Sequence, residues 1–129
     1  MVINITDLDP VLTEQFVKFC CEELEISPEN IYIEGWDTPL FNKANGLCYE
    51  VEHNYEYLIM VQTKDRDITE IYNTIAHEII HVKQFIKEEL SNHIEKEKPI
   101  YTERWWEREA KAESLNLVKK YVDILYEMV

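Results

Sequence analysis

Glycine and proline are scarce in this chain, at two and four residues of 129. So few turn formers and helix breakers exclude a loop-dominated chain and point to long regular elements. Cysteine is equally thin. Cys20, Cys21 and Cys48 are odd in number, two of them are adjacent, and no CxxC occurs. That pattern excludes a disulfide framework and a zinc knuckle, so reduced thiols and a cytoplasmic setting are expected. Met1 to Pro10 lacks the basic and apolar regions of a secretory leader, and no run approaches the ~20 apolar residues of a membrane span. Positive charge is short as well: 13 Lys and Arg stand against 26 Asp and Glu, a formal charge of −13. Nucleic acid is held by cations that neutralise phosphates. A DNA or RNA surface and a membrane partner are therefore not expected, and the acidic excess reads as a solvated surface.

What remains is enough for one domain with one core. Residues 7–25 read as a first helix, with Asp7 or Asp9 as cap, Pro10 in the first turn, and Val11, Leu12, Phe16, Phe19, Cys20 and Leu24 as an apolar stripe. Ile31-Tyr32-Ile33 is a short strand. Residues 35–45, with Asn45-Gly46 at their end, read as a loop. Residues 47–52 and 55–63 form two strands with His53-Asn54 as the turn; the second is apolar enough to be central. A second helix spans about 67–90 with Asp67 as a cap, 91–99 is a polar link, and a third helix spans about 101–127. The expected architecture is α+β: an N-terminal helix, a small, mostly antiparallel sheet of about three strands, and two further helices.

The chemistry sits on the second helix, in His77-Glu78-Ile79-Ile80-His81. Residues i and i+4 share a helix face, so the two imidazoles can converge on one cation, and Glu78 is placed to accept a proton from water beside it. An HExxH pattern also arises by chance on solvated helices. Here the flanks Ile71, Ile75, Ala76, Ile80, Val82 and Ile86 make the helix largely buried. Two His and a Glu there need partners, and a metal supplies them.

A catalytic zinc takes three protein ligands and keeps a fourth position open. Lys87 and Gln84 stand where an HExxHxxGxxH pattern needs its last His and its Gly, which excludes that arrangement. His53, His93 and the acids of the third helix remain. Glu107 is in line with Ala110, Ser114, Val118, Tyr121, Val122 and Leu125 on the apolar face, whereas Glu109 is in line with Glu113, Asn116, Lys120 and Asp123 on the wet face. That geometry favours Glu107, with Glu109 kept open. Tyr101 and His93 are candidate donors to an oxyanion, against the alternatives of a packed aromatic and a surface histidine. Trp105 and Trp106 are either groove walls or core. Gln84 is placed to pack on, or hydrogen-bond to, the third helix.

Thr74-Ile75-Ala76-His77-Glu78-Ile79-Ile80-His81-Val82-Lys83-Gln84, followed by Trp106-Glu107-Arg108-Glu109-Ala110, resembles small gluzincin-type metallopeptidases. The likeness is nearest to phage-encoded and SprT-like HExxH proteins, and looser to minigluzincins and the ImmA/IrrE group. It covers roughly residues 46–115. The resemblance implies Zn²⁺ held by His77, His81 and Glu107, with Glu78 as general base, Tyr101 as a candidate oxyanion donor, and a peptide or protein as substrate. It puts Glu109 on the acidic-or-amide position that follows the ligand; Lys111 departs from the Asn or Asp of related patterns. A zinc-binding regulatory or self-inhibited domain is the alternative from another class.

Overall fold

The computed structural model describes residues 1–38, 40, 44–53, 55–88, 90 and 105–127. Strand β1 (Val2–Ile5) is followed by helix α1 (Pro10–Glu23), strands β2 (Asn30–Trp36), β3 (Gly46–Glu52) and β4 (Glu56–Gln62), and helices α2 (Ile68–Lys87) and α3 (Trp105–Glu127). The α+β class stands.

Two expectations about the sheet are overturned. Among the described residues it has four strands, in the order β1-β2-β4-β3, and a strand precedes the first helix. It is also mixed rather than mostly antiparallel: β1 and β2 are parallel, β2 and β4 are parallel, and only β3 and β4 are antiparallel. The reason lies in the connections. Parallel neighbours need a crossover, and α1 supplies one between β1 and β2. The β3–β4 hairpin then inserts its second strand beside β2 and leaves β3 last in the order of the described strands. Asn54 of the expected turn lies outside the described residues.

The helix starts follow from local chemistry. Asp9 Oδ1 accepts the Leu12 N–H at 2.9 Å with Pro10 in the first turn, and Asp67 Oδ1 accepts the Glu70 N–H at 2.9 Å. Both are side-chain caps on amides with no partner inside the helix. Alternation places Ile31 and Ile33 of β2 and Tyr57, Ile59 and Val61 of β4 on one buried face. Helix α2 lies against that face. It buries Ile71, Ile75, Ala76, Ile79, Ile80, Val82 and Phe85, and with them Thr74, Glu78, His81 and Gln84. Burial on most of its circumference arises because α1, α3 and the sheet all pack on it. Phe16 of α1 stacks on Tyr72 at 4.7 Å and meets Tyr121 of α3 edge-on at 5.1 Å, tying the three helices together. Among the described residues no helix is long and apolar enough to cross a membrane.

Candidate metal centre

Helix spacing brings His77 and His81 to the same side of α2, with ring centroids 5.0 Å apart and planes at 79°. One ligand atom each from His77, Glu78 and His81 falls within a 4.8 Å cluster. Helix α3 closes the site. Glu107 Oε1 lies 3.4 Å from His77 Nε2 and directly against His81 Nε2. Glu78 Oε1 stands 4.0 Å from His81 Nε2. The site is enclosed: side-chain exposure is 16% at His77, 13% at Glu107, 6% at Glu78 and 3% at His81.

The donor set fits a borderline-soft cation such as zinc. Two donors at ~2.0–2.1 Å from a tetrahedral ion stand about 3.3 Å apart, close to the 3.4 Å between His77 Nε2 and Glu107 Oε1. A cation there would replace the direct contact between Glu107 and His81. Two acidic groups and two imidazoles share a pocket that water scarcely enters, and paired or coordinated charge is the condition for keeping them there.

The contact between Glu107 and His81 shifts both groups. Burial pushes the His81 imidazolium toward deprotonation. The Glu107 carboxylate at Nε2, the Glu78 charge and the Gln84 amide outweigh it and raise the pKa to about 9. Burial raises Glu107, but hydrogen bonds from His77 and His81 hold its carboxyl well below the usual carboxylate range.

The two glutamates of α3 take different places. Glu107 touches both imidazoles, while Glu109 turns to the flank, 3.0 Å from Gln84 Nε2 and 3.2 Å from Lys83 Nζ. The wet-face expectation for Glu109 is corrected in part: Lys83 and Gln84 of α2 draw the side chain onto the helix interface. His53 is exposed and pairs with Glu50 at 3.3 Å. His93 and Tyr101 lie outside the described residues. Trp106 is buried and belongs to the core, whereas Trp105 is 40% exposed. Gln84 donates to the Trp106 carbonyl at 2.9 Å, the α3 contact its position suggested. Lys111 is exposed.

Gly46 was not singled out by the sequence, where Asn45-Gly46 closes a stretch that reads as a loop. It is the first residue of β3 and passes directly over the motif helix. A Cβ at Gly46 would lie 2.6 Å from Thr74 Cγ2 and 3.0 Å from Glu78 Oε2. Thr74 cannot easily retreat, because it is buried and its Oγ1 accepts from Arg66 Nη2 at 2.5 Å. Gly46→Ala is expected to cost about 1–3 kcal/mol, the usual range for overpacking, and to displace Glu78. Denaturant unfolding checks it; an unchanged midpoint would show that the strand has room to move.

No family model, no curated protein and no solved structure matches this chain.

Proposed function

We propose that the chain is a zinc-dependent peptidase of the gluzincin type, hydrolysing peptide bonds with His77, His81 and Glu107 as metal ligands and Glu78 as general base. One observation carries the reading: a carboxylate from α3 meets both imidazoles of an HExxH helix while the motif's own glutamate stands beside them. Zinc bound there supplies Lewis acidity, making water more acidic and polarising a substrate carbonyl. Glu78 sits on the sheet side of α2, beneath the first residue of β3. Its carboxylate is positioned to take a proton from water and return it to the departing amine.

The low exposure of the four side chains favours one alternative, a zinc-binding regulatory domain whose site is covered. Digestion of an unstructured peptide mixture by zinc-loaded protein, read as new termini by mass spectrometry, separates the two. New termini that vanish with chelator and in Glu78→Gln support the peptidase. Zinc bound without cleavage supports the covered site.

A further inference from the structure

Gln84 is fully buried, and its side chain makes three hydrogen bonds at the junction of α2 and α3. Its Nε2 donates to the Trp106 carbonyl at 2.9 Å and to Glu109 Oε1 at 3.0 Å, and its Oε1 lies 2.6 Å from His81 Nδ1. Two of these partners fix the orientation of the amide. A backbone carbonyl and an ionised carboxylate can only accept, so both must face the NH₂ group. The oxygen is left facing His81. An amide oxygen can only accept, so Nδ1 of His81 must carry a proton. In a neutral imidazole with Nδ1 protonated, the lone pair is on Nε2, the nitrogen that faces Glu107 and Glu78.

From this we infer that Gln84, anchored by Glu109, is the positioning residue that presents His81 to the metal through Nε2. The inference rests on the metal reading above and goes beyond it, because the support comes from the motif's own helix, one turn on. The choice of glutamine follows from the contacts. A leucine or methionine would leave His81 Nδ1, the Trp106 carbonyl and one Glu109 oxygen without this partner. A carboxylate at this position would meet Glu109 with like charge. Only an amide accepts from the imidazole and donates twice to α3. Glu109 in turn is held by Lys83 at 3.2 Å, so the chain Lys83–Glu109–Gln84–His81 fixes the ring angle and the tautomer while it fastens α3, and thus Glu107, to α2. Partners of this kind typically change metal affinity by 10–100-fold.

The test is zinc affinity by competition with a chromophoric chelator, using the full chain and zinc alone. Three proteins are compared: wild type, Gln84→Met and Glu109→Gln. Gln84→Met keeps the length of the side chain and removes both of its hydrogen-bonding ends. Glu109→Gln keeps an oxygen that can accept from Gln84 Nε2. Gln84→Met is expected to bind zinc about 10–100-fold more weakly, and Glu109→Gln to stay nearer wild type. A role in packing alone predicts that Gln84→Met binds zinc as wild type does; that result, or an equal loss in both variants, overturns the proposal.

Nuclear magnetic resonance gives a readout independent of activity. The zinc-loaded wild type should show a slowly exchanging Nδ1 proton on His81, with the metal on Nε2. Should Gln84→Met fail to fold, this signal decides, and its absence in wild type removes the inference. If wild type itself binds no zinc, the metal reading falls first. If wild type binds zinc and Gln84→Met binds it equally, only the role of Gln84 falls.

Discussion

Glu78→Gln is expected to leave the protein folded and loaded with zinc while peptide hydrolysis falls by at least 10²–10⁴-fold, the scale set by general-base catalysis. The substitution keeps the size and hydrogen-bonding reach of the side chain and removes only its basicity. Glu78 is 5% exposed and lies near Gly46, Thr74 and His81, and glutamine fills the same volume there. It also removes one of two carboxylates beside His81 without touching Glu107, the acid that contacts both imidazoles. Metal content should therefore hold while turnover collapses. Turnover within a few fold of wild type would show that another group takes the proton.

The second large effect is in pH. Stripped of metal, the chain should lose stability as pH rises from about 6.5 to about 9, while its affinity for zinc rises through the same window. The folded-state pKa of His81 is raised from 6.5 to about 9. Its contribution is therefore fully present below 6.5 and is lost as pH climbs through 9, a change of about 3 kcal/mol for a shift of this size. Glu107 is displaced the other way. Its contribution is present above the ordinary carboxylate value and is lost as pH falls below it. Both shifts describe one contact and count once. The metal-free protein should thus be most stable in mildly acidic solution. Zinc must displace the His81 proton to bind, so apparent affinity should rise about tenfold per pH unit up to about 9. Denaturant unfolding in chelator and zinc competition, each at pH 6 and pH 9, measure the two halves. Stability that stays level and affinity that ignores pH would contradict the proton held between His81 and Glu107.

Much of this site is legible in the sequence because it is written in helix periodicity. The i, i+4 spacing of His77 and His81 and the apolar residues around them are local. So is the face arithmetic that separates Glu107 from Glu109 on α3. The Asp9 and Asp67 caps are local too, and the apolar run of β4 marks a strand with neighbours on both sides. The sheet was less legible because strand order is decided by distant pairings. Val2–Ile5 is four residues long and only half-buried; it becomes a strand by pairing with Ile31–Glu34. Nothing in residues 47–63 says which strand of a hairpin will lie beside β2. Gly46 was missed for a related reason. Asn-Gly is a turn signal by composition, and only the packing of β3 on Thr74 and Glu78 shows why a side chain is excluded there. Gln84 was seen as a contact to α3, but its link to His81 Nδ1 depends on a rotamer that spacing does not specify.

The central claim is a cation held by two histidines of α2 and one glutamate of α3. Elemental analysis of purified wild type beside Glu107→Ala and Glu109→Ala tests it most directly. About one zinc per chain is expected in wild type, retained in Glu109→Ala with weakened affinity and lost in Glu107→Ala. Wild-type protein that takes up no metal at neutral pH with zinc offered, or a Glu107→Ala variant that keeps it in full, would contradict the account.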